Sequence, residues 1–178
     1  NHRIAGRWLV GGASNAGGGV LRQFFSDEPL EELSRQIHPE RSSGLSLRPL
    51  PHKGERFPID DPALEPVLGP RPVSDALYLQ ALLEGLSNIE RQGWQRLEEL
   101  GAPKVQRILS VGGGANNPQW RALRQKLLNR PVLNRSKASP AAAMALLARQ
   151  AATLEQSSGG SACLNAYAPS ARWGWSRS

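Results

Sequence analysis

The chain has 178 residues, enough for one domain with a real core or one large lobe of a bigger protein, and too few for two full domains. A hydrophobic fraction of 39% with a mean hydropathy of -0.42 is that of a soluble globular protein, and no apolar run approaches the roughly 20 residues that a bilayer helix needs. The net charge of +7 raises nucleic acid as a partner, but Arg22, Arg35, Arg41, Arg71, Arg107 and Arg135 stand singly with few aromatics between them, which weighs against a phosphate-tracking face.

The first residues, NHRIAGRWLVGG, lack the charged start, apolar stretch and cleavage site of a secretory signal. They also lack an initiator Met and enter a strand-like segment at once, so the start reads as the middle of a protein. Cys163 is the single cysteine, which leaves no internal disulfide and no cysteine-built metal site, and a reducing cytoplasm fits best.

RWLV, Arg7 to Val10, is β-prone and reads as a strand before the glycine cluster GGASNAGGG. From Gly18, the spacing of Val20, Leu21, Phe24 and Phe25 predicts a short helix. Ser26 as N-cap, acidic residues in the first turn and Pro29 near the start announce another helix to about Ile37, with Leu30, Leu33 and Ile37 as its buried stripe. The proline-rich segment that follows predicts an ordered loop, apart from a short strand around Leu45 to Leu50. Ser74 to Leu100 carries Leu79, Leu82, Leu83, Leu86, Ile89, Trp94 and Leu97 at spacings of three and four, a long helix whose first half is apolar nearly all round and therefore buried. Gly101 and Pro103 stop it.

VQRILSV then reads as a buried strand, followed by the triple glycine Gly112 to Gly114 and a helix from about Pro118 to Leu128 with Trp120, Leu123 and Leu127 inward. RPVLN is a second short strand, and Ser139 caps a last helix with Pro140 at its first position. The tail from 157 to 178 lacks periodicity and reads as a mobile extension. Alternation of strand and helix over the body places the chain in the α/β class.

Two glycine clusters between strand and helix leave helix N–H groups free to face an anion and remove side chains where something must approach closely. Neither is a phosphate loop closed by Gly-Lys-Ser/Thr, and neither has the acidic residue of the dinucleotide fingerprint. From the glycines alone, a nucleotide site and a tight turn stay equally open.

The combination of segments is more specific. ILSVGGGANNPQWRALRQKLLNRPV resembles the adenosine-binding motif of the FGGY carbohydrate kinases, LPHKGERFPIDDP resembles that family's Gly-Glu-Arg-x-Pro loop, ALLEGLSNI the helix after it, and GGASNAGGGVLRQF the first helix of the second lobe. Order and spacing agree from about Arg7 to Arg149, nearest to the pentulose kinases acting on ribulose or xylulose. The resemblance implies an actin-like ATPase (ribonuclease H-like) lobe over residues 1–156, a mixed sheet flanked by helices, without the N-terminal partner lobe. It implies ATP or ADP as ligand, Mg²⁺ with the complete enzyme and a sugar bound through the absent lobe; the apolar runs exclude a membrane span, and the dispersed arginines weigh against nucleic acid. Gly113 and Gly114 then pass under the adenine and ribose, where a Cβ would meet the ring, and Gly112 belongs to the same nucleotide-binding set. Asn117 bonds the base or ribose, Trp120 forms part of the adenine pocket or serves only its helix's core, and Gly18 approaches the phosphates.

Other polar residues carry weaker implications. Glu55 and Arg56 read as a local pair that shapes the loop, with Arg56 reaching a phosphate as the alternative. His52 and Lys53 read as surface residues, and Asp60 and Asp61, followed by Pro62, as turn residues rather than Mg²⁺ ligands. The family's catalytic aspartate, its N-terminal phosphate loop, its sugar pocket and the second lobe's Gly-Thr hairpin all precede the matched region, so no catalytic residue is assigned here. Ala143 and Met144 stand where the family often has Gly-Ala. The expected activity is ATP-dependent phosphorylation of a sugar hydroxyl by the complete kinase, with this chain inactive alone. A non-catalytic remnant and a basic nucleic-acid module are the competing readings.

Overall fold

The computed structural model describes residues 2–4, 6–135 and 139–157 and falls into two units, Asn1–Ala138 and Ser139–Ser178. The first begins with an antiparallel hairpin, β1 (His2–Ile4) and β2 (Arg7–Leu9), turned at Gly6 with φ 76° and exposed along its whole length. At the end of the first glycine cluster, the expected short helix forms over Gly18–Gln23 as a 3-10 helix. α1 (Asp27–Arg35) follows, then a loop to Ser74, then α2 (Asp75–Glu99). β3 (Ile108–Ser110), a 3-10 turn (Gly113–Asn116), α3 (Pro118–Leu128) and β4 (Val132–Asn134) close the unit, β3 and β4 pairing in parallel with α3 as the crossover. The second unit holds α4 (Pro140–Ser157), whose start is capped where Ala142 N–H donates to Ser139 Oγ at 3.3 Å. The expected mobile tail lies, beyond Ser157, outside the described residues. No described helix is long and apolar enough to cross a membrane.

The chain is thus mixed helix and sheet, as the α/β class implies, but the single mixed sheet is not formed among the described residues. The strands make two separate two-stranded sheets. β1 and β2 bury none of their side chains, so nothing draws the hairpin onto β3. β3 is buried on one face only, with Leu109 53% exposed, and is shorter than the VQRILSV run. Leu45 to Leu50 forms no strand either. Its pairing is the single bridge between Arg48 and Val67, because Pro49 and Pro51 remove the donors a ladder needs.

The core is built around α2. Ser74 Oγ accepts the Leu77 N–H at its start. At its end Gly101, φ 92°, lets its own N–H reach Glu98 O and Ala102 N–H reach Leu97 O, a left-handed stop that matches the expectation. Every residue from Tyr78 to Ser87 is buried. An amphipathic helix has one wet side, but this half has none, so it needs cover in every direction. The 3-10 helix gives Val20 and Leu21, Phe25 packs with Tyr78, and α1 ends on Ile37, just past its last turn and 4% exposed. Of the expected stripe, Leu30 and Leu33 are half-buried against the same cluster. The loop covers the remaining side. Gln80 Oε1 accepts His38 N–H at 3.3 Å, and Glu84 accepts Ser43 N–H at 2.9 Å.

Gly85 is what lets the loop come so close. A Cβ there would lie 2.7 Å from Leu47 O and 2.7 Å from Pro49 Cδ, backbone and ring atoms with little freedom to move. Gly85→Ala is therefore expected to destabilise the fold by about 1–3 kcal/mol despite alanine's better helix propensity, as measured by urea unfolding. An unchanged or raised midpoint would show that the loop is not seated on α2.

Candidate functional site

The 3-10 turn and the start of α3 face α1 across a cleft of about 930 Å³. Gly18, Gly113, Gly114, Asn117 and Trp120 all line it, so five of the six residues singled out from sequence converge on one space. The sixth, Gly112, sits at the hinge of the turn. Its φ of 80° is a left-handed conformation that side-chain-bearing residues rarely adopt, which accounts for the glycine without any ligand.

Gly114 needs a different account. The expected reason for it was a nucleotide ring, whereas a Cβ on Gly114 would lie 2.6 Å from Trp120 Cζ3, inside the chain's own indole. At Gly113 an added Cβ meets nothing within 4 Å, and at Gly18 it would make only ordinary contact with Trp120, at 3.7 Å. The indole is therefore covered by the backbone of two glycine segments, one from each cluster. Trp120 is half-buried against the core, and its Nε1–H donates to Ser87 Oγ at 3.2 Å, so it serves the core and the cleft at once.

Asn117 has a similar double duty. Its Oδ1 accepts the Trp120 N–H at 2.9 Å, capping α3, and its Nδ2 donates to Ser34 Oγ at 2.8 Å across the cleft. One amide hydrogen and one lone pair remain for a ligand. Ser34 was not singled out from sequence, nor was α1 as the facing wall. The available signal was a small polar residue one turn after Leu30 on the stripe expected to be apolar. Arg22 and Arg35 also line the cleft, paired with Asp27 at 2.9 Å and with Glu31 at 2.7 Å in exposed ion pairs. Such pairs are weak in water, so either arginine can exchange its carboxylate for another anion.

Glu55 proves to be the tie between the two other motifs. It is buried and accepts Ser14 O–H at 2.6 Å and Asn15 N–H at 2.7 Å from the first glycine cluster, together with Arg56 N–H at 2.8 Å and Phe57 N–H at 3.5 Å from its own loop. The local Glu55–Arg56 side-chain pair is replaced by this long-range one, because Arg56 turns its Nε to Asn15 Oδ1 at 2.7 Å. Phe57 reinforces the join: a Cβ on Gly12 would lie 2.3 Å from its ring and one on Gly93 of α2 3.0 Å away. The remaining loop polars behave as expected of surface and turn residues. His52 Nδ1 contacts Lys53 O at 2.8 Å, Lys53 pairs with Glu65 at 2.8 Å, and Asp61 Oδ1 accepts Ala63 N–H at 2.8 Å. No cluster of three or more His, Cys, Asp or Glu that could hold a metal occurs among the described residues. Ala143 and Met144 lie on α4.

Residues 1–152 match the C-terminal domain of the FGGY family of carbohydrate kinases. Over 55 residues the chain is 36% identical to L-fuculokinase of Escherichia coli (strain K12), a stretch that covers 31% of this chain and 12% of that protein. In three dimensions it is similar to a ligand bound xylulose kinase from Lactobacillus acidophilus, with a TM-score of 0.63 and 25% identity over 80% of this chain and 31% of the other. A xylulose kinase from Bifidobacterium adolescentis gives a TM-score of 0.56 and 25% identity over 71% and 26%. The chain thus spans less than a third of the length of these relatives.

Burial pushes the Glu55 carboxyl up, but the hydrogen bonds from Asn15, Ser14, Arg56 and Phe57 outweigh it and hold the group below the usual carboxylate range. A carboxylate depressed in the folded state adds stability above its unfolded pKa of about 4.3, and that stability is lost as pH falls through the folded value. Denaturant midpoints of wild type and Glu55→Gln are therefore expected to differ most above about pH 4.3 and to converge in stronger acid. A gap that does not change with pH would show that Glu55 acts only by its shape.

Proposed function

We propose that this chain, which belongs to the FGGY family of carbohydrate kinases, forms the nucleotide wall of an ATP-dependent kinase that phosphorylates a sugar hydroxyl, the sugar being a pentulose. The observation that carries this reading is the convergence of Gly18, Gly113, Gly114, Asn117 and Trp120 on one cleft between α1 and the start of α3. At about 930 Å³ the cleft is of the size and composition that hold a cofactor-sized molecule. The likeness to xylulose kinases favours a pentulose among sugars.

In this reading the base and ribose lie against the exposed backbone of Gly113 and Gly114, with α1 on the opposite side. Gly113 accepts that approach because nothing in the chain occupies the space a Cβ would take. Asn117 offers its remaining amide hydrogen and lone pair to the nucleotide, while its cap and its bond to Ser34 hold the amide still. Gly18 opens the first 3-10 helix toward the phosphates, and Arg22 and Arg35 supply the positive charge beside it. Bound ATP would supply the transferable phosphoryl group, and Mg²⁺ with the complete enzyme would offset its charge. Phosphoryl transfer depends on positioning and charge stabilisation, and this chain's share is the positioning. The acceptor of the sugar's proton and the sugar pocket are assigned to the remainder of the complete enzyme.

Arg71, Arg96 and Arg124 each pair with a carboxylate within the fold, which weighs against reading the basic composition as a nucleic-acid face.

The test is ADP titration of the 178-residue chain by calorimetry. Weak binding is expected, with Gly114→Val losing at least roughly tenfold, because its branched side chain must displace Trp120 from the cleft wall. Sugar-dependent ATP hydrolysis by this chain alone is expected to be absent. Hydrolysis that survives Gly114→Val would overturn the proposal, as would an ADP affinity indifferent to both Gly114→Val and Asn117→Ala.

A further inference from the structure

A second cavity, of about 570 Å³, shares Gly18, Gly114 and Trp120 with the nucleotide cleft. The indole is therefore a wall common to both, a partition in that sense, and whatever fixes it also bears on the shape of the cleft. One restraint is the hydrogen bond to Ser87, whose own hydroxyl donates to Leu83 O at 2.7 Å inside α2. The other is Arg124, one turn along α3, whose guanidinium carbon stands 5.8 Å from the ring centroid.

Arg124 is held from three directions. Its Nε and Nη2 donate to the two oxygens of Glu90 on α2, both at 2.7 Å, and its Nη1 donates to Ser110 Oγ at the end of β3. Glu90 also accepts Trp94 Nε1–H at 3.3 Å, so its carboxylate is fixed in turn. The pair is little exposed, 13% for Arg124 and 24% for Glu90, unlike the outlying ion pairs of the surface. Ser110 lies two residues before Gly112, where the chain turns into the glycine loop. A single planar group thus joins α2, α3 and the strand that feeds the loop, with the indole of Trp120 beneath it.

Resting on the nucleotide reading above, we infer that Arg124 is a positioning residue: it clamps the Trp120 partition and the end of β3, and so sets the geometry that the nucleotide meets. The fork matters as well as the charge. Lysine is a point donor on a flexible stem and cannot hold Glu90 by two bonds and Ser110 by a third at once. Apolar residues in place of both partners keep the packing and leave no orphaned charge, which is often neutral for stability, but they remove the orientation.

That difference separates positioning from mere support. The chain is labelled with 5-fluorotryptophan, and the Trp120 fluorine signal is assigned by its loss in Trp120→Phe. Wild type, Arg124→Lys and the double variant Glu90→Leu/Arg124→Leu are compared by fluorine NMR, thermal unfolding and ADP titration. The Trp120 signal is expected to shift or broaden in both variants, and ADP affinity to fall roughly 3- to 10-fold, even where the double variant unfolds at the wild-type temperature. A double variant of wild-type stability that keeps both the wild-type signal and the wild-type ADP affinity would overturn the inference. If wild type itself binds no ADP, the nucleotide reading has failed, and the Trp120 signal in Arg124→Lys alone decides the clamp: unchanged, it refutes it.

Discussion

Ten consecutive residues of α2, Tyr78 to Ser87, are buried on every side, and most of the first unit is arranged to satisfy that demand. The apolar members need cover from water, which the 3-10 helix, α1 and the loop supply. The polar members need partners, because an unpaired buried hydroxyl, amide or carboxylate costs more than a made bond returns. Gln80 and Glu84 therefore draw the 38–43 segment onto the helix, and Ser87 takes the indole hydrogen of Trp120. No buried side-chain nitrogen or oxygen among the described residues lacks a partner. The bond between Ser87 and Trp120 also ties α3 to α2 and with it one wall of the cleft.

Glycine does several distinct jobs in this chain. Gly85, Gly12 and Gly93 are contact surfaces, where a loop or an aromatic ring sits directly on backbone. Gly112 and Gly54 are conformational, with φ of 80° and 97°. Gly114 is a contact surface for the chain's own tryptophan, and Gly113 is left facing open space. A ligand-centred account of the triple glycine merges these roles. The geometry separates them, and of the three only Gly113 keeps a backbone face that no contact or turn within the described residues explains.

The motifs also depend on one another more than their separation along the chain suggests. Ser14 and Asn15 of the first cluster meet Glu55 of the loop, Phe57 of the loop meets Gly93 of α2, and Gly18 meets Trp120 of α3. Each join is between segments that pattern analysis treats singly. A buried carboxylate with several donors is a strong tether, because each bond to a charged group is worth more than a neutral one.

Elements whose signals lie in their own residues were readable from sequence alone. α2 declared itself by an apolar run at helical spacing with Ser74 before it and Gly101 after it, α3 by Pro118 and its stripe, and α4 by Ser139 and Pro140. The convergence of the glycine clusters was legible as a resemblance, and five of the six chosen residues do share a cleft. What sequence left open were choices made across long separations. Glu55 could have paired with its neighbour Arg56, and the fold gave it Ser14 and Asn15 instead, because two backbone and hydroxyl donors at fixed positions are better than an exposed, flexible guanidinium. Ser34 showed only as a polar residue on an apolar stripe, and the bonds of Arg124 to Glu90 and Ser110 carry no local signature, since a hydrogen-bonding partner distant in the chain leaves no periodicity to read. The strands were the other uncertain case: β-pairing is decided by a neighbour's edge rather than by the strand's own composition, and the short apolar runs here find one partner each.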